Sequence, residues 1–399
     1  MIKITDIRAT ITCPDDMNII VVRVDTNQPG LYGLGCATYA QRCWAVAADI
    51  EKHIRPLLIG RDPRNIQDLW QMMHVNGYWR NGPVVNSALG GIDMALWDIQ
   101  GKLAGMPVYQ LLGGKCREAA AVYRYAAGAD KEAVLEQAQR WWSEGYHYIR
   151  CQILPKYCSP ESTLWRTEHP NDGFHCDPLK YLRTNVQMFE YIREKMGFDV
   201  QLLHDAHERL LPSDALRFAK ELEPIRLFFL EDLFSPEQGE SLRRLRVQCA
   251  TPIAQGELFV GPNDWLHLVK DRLIDFMRVH PSMIGGISAA IRCAHVCEAF
   301  GVRMAWHGPI DMSPIGHAAQ MHMDLAITNF GVQEWPGMND AMRDVFPGTP
   351  ELRNGYGYVN NEPGFGVGFN EAAARKYPYR EVDWLWTQYR NQDSTMLWP

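Results

Sequence analysis

Apolar and polar residues alternate through MIKITDIRATI (1–11) and IIVVRVDT (19–26), the period-two pattern of strands with one buried face. The turn-rich QPGLYGLG (28–35) follows and reads as a hairpin turn, since its glycines lack the spacing of a strand–GxGxxG–helix nucleotide motif. The period then lengthens. Residues 45–58, 64–74 and 86–104 place apolar side chains at helical intervals, with Ile92, Leu96 and Ile99 on one stripe; Gly105 and Pro107 stop the last of these. Strands followed by helices predict an α+β domain over residues 1–114.

From Ala119 the rhythm changes again. Strand-like runs occupy 120–126, 147–152, 198–205, 226–231, 251–257, 273–279, 301–306 and 329–334, with helical stretches such as 131–144, 212–222 and 287–299 between them. Eight strand–helix units predict an α/β barrel of the TIM type over 115–344. The interval from 152 to 198 exceeds what one helix needs, and its polar, turn-rich sequence predicts a loop over 153–180 that reaches across the barrel mouth. After Glu334 no clean strand–helix unit follows, and 345–399 is expected to pack back on the first domain.

An apolar share of 46% beside 22% charged residues describes an ordinary globular chain. The net charge of −7 argues against binding nucleic acid through its phosphates. No run of 18 apolar residues marks a membrane span, and the first residues alternate where a secretory segment would be continuously apolar. The ten cysteines are scattered; Cys293 and Cys297 are four apart but lack histidines to complete a zinc set. Reduced thiols in a cytoplasmic protein are the expectation.

Three of the barrel runs end in carboxylates: Asp205, Glu231 and Glu257, 26 residues apart each time. Equivalent ends of successive parallel strands converge on one face of a barrel, where active sites lie. An acid at a strand end is more often a solvated loop group, but three at even spacing repel unless a hard cation such as Mg2+ sits among them. His207 lies two residues after Asp205 and would face the same way if the strand continued. Arg150 and Arg278 fall at the ends of apolar runs, where a guanidinium needs an anion. His307, Asp311 and Glu334 complete an anion-recognising pocket with a histidine on either side. Such a pocket suits α-proton loss from a metal-chelated carboxylate, followed by acid-assisted departure of a β-hydroxyl.

The blocks LIGRDPRNIQDLWQ, GYWRNGPV, IDMALWDIQGKLAGMPVYQLLGG, LLHDAHERL, EDLFSPE, TPIAQGE, AWHGPIDMSPIGHAA and NFGVQEW cover nearly the whole chain. In them the chain resembles the mandelate racemase/muconate-lactonizing branch of the enolase superfamily. Within it the chain is similar to the D-mannonate dehydratase family, whose members also act on D-gluconate and often bear a D-galactonate-dehydratase-type name. The resemblance implies an α+β capping domain over a modified TIM barrel, (β/α)7β. It also implies Mg2+ on Asp205, Glu231 and Glu257, and His207 as general acid. Arg278, His307, Asp311 and Glu334 would line an acid-sugar substrate, in a homo-oligomer built from dimers, up to an octamer.

The chain departs from that family in four places. Position 162 is Ser where the family has a tyrosine base about a dozen residues after the arginine matching Arg150. Tyr157 comes too early to replace it. Ala40 stands where a capping-domain Asn is expected, and YRYAAG puts Tyr125 and Ala127 where YxHANG has His and Asn. The expectation is a Mg2+-dependent lyase that dehydrates D-gluconate- or D-mannonate-type acids to 2-keto-3-deoxy acids, with His307 as base and Arg150 beside the reacting groups. Two alternatives stay open: an acid-sugar epimerase, and a catalytically silent acid-sugar-binding or regulatory relative.

Overall fold

The computed structural model describes residues 1–159, 173–382 and 385–398. β1 (Ile4–Thr12), β2 (Ile19–Thr26) and β3 (Tyr32–Cys36) form an antiparallel meander, in which Ile11 pairs with Ile20 and Val22 with Gly35. The stretch read as a turn is therefore mostly a third strand; the turn itself closes where the Leu31 amide donates to the Gln28 carbonyl at 3.1 Å. Its glycines concealed the strand because they carry no side chain to alternate. A β-carbon on Gly33 or Gly35 would overlap the carbonyl oxygen of Ala95 or Gly91, so β3 meets the helix Pro83–Ala104 backbone to backbone.

That helix starts with Pro83 in its first turn and stops at Gly105, whose φ of 66° is the left-handed cap that glycine favours. Ile92, Leu96 and Ile99 are fully buried against Ile20, Val22 and Val24. The helix expected over 45–58 is broken into Cys43–Ala48, a wide turn over Asp49–Ile54 and Arg55–Leu58. Pro56 explains the last break, since it cannot donate to a carbonyl four residues back.

The barrel strands follow: β4 (Ala120–Gly128), β5 (Tyr148–Ile153), β6 (Gln201–Asp205), β7 (Phe229–Glu231), β8 (Ile253–Gln255), β9 (Phe276–Met277), β10 (Arg303–Met304) and β11 (Gln333–Glu334). A helix lies between each consecutive pair, which is the (β/α)7β order. They are Lys131–Ser143, Pro178–Met196, Pro212–Glu221, Ser241–Arg246, Pro262–Lys270, Ile287–Ala299 and Pro314–Ala326. β4 to β9 run parallel in sequence order, with Tyr125 paired to Arg150, Asp205 to Glu231 and Gln255 to Met277. A hairpin of β12 (Glu351–Arg353) and β13 (Tyr356–Tyr358) adds antiparallel to Ala120 and Ala121.

Two compact units result. One holds Met1–Ala121, Leu258–Leu266 and Arg278–Val382; the other holds Val122–Glu257, His267–Met277 and the stretch 385–398. They cut across the expected divisions at 114 and 344, because the capping helix is bonded to later segments. Asn86 Nδ2 donates to the carbonyls of Val260 and Met283, and the Asp93 carboxylate accepts from the Ser288 amide and hydroxyl. The C-terminal tail divides too. Up to 382 it packs on the capping strands, where Thr12 bonds Tyr377 and Asn18 bonds Arg380. Residues 385–398 instead bond within the second unit, where the Cys176 amide donates to the Arg390 carbonyl.

All ten cysteines are free thiols and nine are buried; Cys293 and Cys297 lie 4.0 Å apart, sulfur to sulfur, inside a helix. Among the described residues no helix is long and apolar enough to cross a membrane.

Candidate active site

Asp205 and Glu231 are the last residues of β6 and β7 and pair directly in register. Glu257 lies two residues beyond β8, past Gly256, whose φ of 141° only glycine adopts readily. Oxygens of Glu231, Asp232 and Glu257 lie within 4.8 Å of one another, and a second group of Asp205, His207 and Glu257 shares the last residue. The three acids expected from the sequence are thus brought together, with Glu257 common to both groups. Asp232 joins them. Its carboxyl is pushed well above the usual range by burial first, and then by Glu257, Glu231, Asp205 and Glu208. Its signal was present in LEDL, as a second acid immediately after the first. Carboxylates crowded at this density, all with oxygen donors, fit a hard divalent cation such as Mg2+.

The strand geometry does not continue to His207. Both His207 and Glu208 have positive φ, 47° and 58°, so the chain turns sharply after β6. That turn, and not strand alternation, returns the imidazole to Asp205: Nε2 lies 2.6 Å from Asp205 Oδ2 and 3.9 Å from Glu257 Oε1. Nδ1 lies 3.0 Å from Arg209 Nη2. A guanidinium only donates, so Nδ1 accepts and the proton sits on Nε2, aimed at Asp205. Burial, reinforced by Arg209 and Arg150, lowers the His207 pKa against the pull of Asp205. Burial would raise the Asp205 carboxyl, but the His207 N–H and the guanidinium groups of Arg150 and Arg209 hold it well below the usual carboxylate range. The indole of Trp386 lies 5.9 Å from the His207 ring, centre to centre. Arg209 was legible in HERL beside His207; Trp386, far along the tail, had no local signal.

Arg150 sits in the middle of β5, not at its end. Its Nη1 donates to Asp205 Oδ2 at 2.8 Å, and its guanidinium carbon lies 4.3 Å from the centre of the Tyr125 ring. The anion that Arg150 requires is therefore Asp205, and Tyr125 offers it an aromatic face. The Ala127 amide and carbonyl are bonded to the Gln137 side chain. Tyr157 is half-exposed in a short helical turn. Ser162 and the centre of the expected loop lie outside the described residues. The flanks of that loop are tied together: Ser159 Oγ donates to the His175 carbonyl at 3.0 Å and the Asp177 amide to the Cys158 carbonyl at 2.8 Å.

In the other unit, Arg278 follows β9, His307 lies three residues past β10, and Glu334 ends β11. Arg278 is wholly buried and donates to the carbonyls of Ala305 and Trp306 and to Glu334 Oε2, at 2.9, 2.7 and 2.6 Å. Its anion is Glu334. The Ala40 amide lies 3.4 Å from Asp311 Oδ2, so this capping residue meets the predicted site residue through backbone alone. Burial first, then Glu334, raises the Asp311 carboxyl to about 6. His280, which has no signal in its neighbouring sequence, is fully buried with its ring 5.5 Å from that of His307.

Residues 3–113 match the mandelate racemase / muconate lactonizing enzyme N-terminal domain, and residues 133–373 match the enolase C-terminal domain-like family. The D-galactonate dehydratase family member RspA of Pantoea ananatis (strain LMG 20103) is 49% identical, over 99% of each chain. A D-galactonate dehydratase family member of Musicola paradisiaca (strain Ech703) is 46% identical, over 100% of this chain and 99% of its own. The crystal structure of an enolase from Pantoea ananatis with bound D-gluconate and Mg superposes with a TM-score of 0.97, at 49% identity and full coverage of both chains. The chain belongs to the mandelate racemase/muconate lactonizing branch of the enolase superfamily, as a member of its D-galactonate-dehydratase-type family.

Proposed function

We propose that this chain is a Mg2+-dependent dehydratase that converts a six-carbon aldonic acid of the D-gluconate type to its 2-keto-3-deoxy acid. The observation that carries the reading is the carboxylate cluster of Asp205, Glu231, Asp232 and Glu257 with the Nε2–H of His207 directed into it. The D-gluconate and Mg bound by the Pantoea ananatis enolase support it from a relative sharing half its residues.

Asp205, Glu231 and Glu257 would hold the cation, which supplies electrostatic stabilisation to charge developing on the substrate carboxylate. His307 takes the α-proton. His207, once it has taken up a second proton at Nδ1, gives its Nε2 proton to the β-hydroxyl as the carbon–oxygen bond breaks and returns to a neutral ring, so that water leaves and the enol product tautomerises to the 2-keto acid. Arg150 holds Asp205 ionised beside His207. Arg278, Asp311 and Glu334 carry over from the resemblance as substrate contacts, and Arg278 and Glu334 are also bonded to each other. The cytoplasmic location and the dimer-based homo-oligomer are part of the same proposal.

The test is incubation of the Mg2+-loaded protein in D2O with D-gluconate, D-mannonate and a wider acid-sugar panel, following 2-keto-3-deoxy product and α-deuterium uptake. Product from any member supports the reading. Deuterium uptake without keto acid would assign an epimerase, and neither signal on any acid sugar would assign a silent binding relative.

A further inference from the structure

The four residues from Ala305 to Gly308 are bonded on every side by fully buried polar side chains. Arg278 donates to the carbonyls of Ala305 and Trp306, at 2.9 and 2.7 Å. Glu334 Oε2 accepts from the Gly308 amide at 2.8 Å and from Arg278 at 2.6 Å. Gln320 Nε2 donates to the carbonyl of His307 itself at 2.7 Å, and its Oε1 accepts from Gln333 Nε2 at the same distance. Gln333 is in turn anchored to the Glu334 carbonyl at 2.7 Å. A β-carbon on Gly308 would come within 2.7 Å of Gln320 Oε1 and 3.2 Å of Gln333 Nε2, so the loop and the amide pair are built to fit each other.

Arg278, Glu334, Gln320 and Gln333 are each no more than 1% exposed, so none reaches solvent. Burying an ion pair and two primary amides costs desolvation that an apolar core of equal volume would avoid. Here they converge on the backbone around one half-exposed histidine. A network of this kind fixes a single geometry where apolar packing would tolerate several.

We propose that Gln320 and Gln333, braced by the Arg278–Glu334 pair, are positioning residues that set the orientation of His307. The inference rests on the reading of His307 as the base, and it adds Gln320 and Gln333 as residues that act through His307. A shift of about 1 Å in a reacting group costs roughly a hundredfold in rate.

The variant is Gln320→Met, which keeps the side-chain length and removes the bond to the His307 carbonyl. The Mg2+-loaded variant should show kcat lowered about ten- to hundredfold with KM within about twofold, and α-deuterium uptake lowered in step. The His307 ring resonance, assigned by its loss in His307→Asn and read in histidine-labelled protein, should be one sharp line in the wild type and broadened or doubled in the variant. An unchanged kcat together with an unshifted single resonance would overturn the proposal. If the wild type turns over no acid sugar, the functional reading fails, and the resonance alone decides the positioning claim. Should Gln320→Met not fold, Gln333→Met carries the same two readouts, because it removes the bond that orients Gln320.

Discussion

Arg150→Met tests the charge balance around Asp205. The substitution keeps an apolar stem and removes a guanidinium that lies 2.8 Å from a carboxylate oxygen, with the two side chains 17% and 2% exposed. Breaking a buried pair by deleting one partner costs about 3–5 kcal/mol. Asp205 keeps its bond to His207 and the field of Arg209, which places the loss at the lower end. The lost contact with the Tyr125 ring adds about 1 kcal/mol. The sum is about 4 kcal/mol, read as the change in free energy of urea unfolding at pH 7.5 in EDTA. A cation that binds only the folded protein adds stability by mass action, and it competes with Arg150 for Asp205. Saturating Mg2+ should therefore stabilise Arg150→Met more than the wild type, so that the deficit shrinks by at least about 1 kcal/mol. A deficit under about 1 kcal/mol in EDTA, or one that grows in Mg2+, would refute the argument.

Three further outcomes are expected. Glu231→Gln should weaken Mg2+ binding at least about tenfold by titration calorimetry, since one anionic donor becomes a neutral amide; an unchanged affinity removes Glu231 from the ligand set. Gly35→Ala should cost more than about 3 kcal/mol in unfolding free energy, because the new β-carbon overlaps a backbone carbonyl that cannot move aside; a loss near zero would mean that β3 and its helix are not in direct contact. His322 is fully buried, and burial lowers its pKa to about 4, with a small contribution from Lys115. Its folded value lies below the unfolded one of about 6.5, so its contribution is present above that pH and fades as pH falls; the stability gap between wild type and His322→Gln should narrow by about 2 kcal/mol from pH 7.5 to 5.0, and a constant gap would contradict it.

The features most legible in the sequence were those set by long, regular periodicity. The helix around Ile92, Leu96 and Ile99 and the eight barrel strands stand where the pattern put them, though β7 to β11 shorten to two or three residues. Apolar runs persist beyond the hydrogen-bonded ladder because their side chains remain buried, so hydrophobicity overestimates strand length. β3 was hidden by its glycines. The carboxylate cluster was legible because equal spacing in a strand–helix repeat means equal height in the barrel. Strand alternation puts His207 beside Asp205, but a left-handed turn, invisible to alternation, does the placing. The arginines stand out in the sequence as charges in apolar runs, but which anion satisfies them is a matter of tertiary distance. Trp386 and His280 carried no sequence signal, because their neighbours in space lie far away in the chain.

The turn that delivers His207 also bears on how this lineage can drift. His207 and Glu208 both occupy a backbone region that costs an L-residue roughly 1–2 kcal/mol relative to glycine. Glu208 adds a buried carboxyl oxygen that accepts no hydrogen bond among the described residues. Replacement of either residue by glycine relieves the backbone, so part of what folding loses in discarded side-chain bonds is returned at once. Natural selection for foldability alone would then offer little resistance to erosion at this corner. Under the proposed function, selection on turnover is what would keep an imidazole there. Silent descendants should accordingly arise by stable, well-folded steps, and their mark would be a small or flexible residue in the two positions after the first metal-site aspartate.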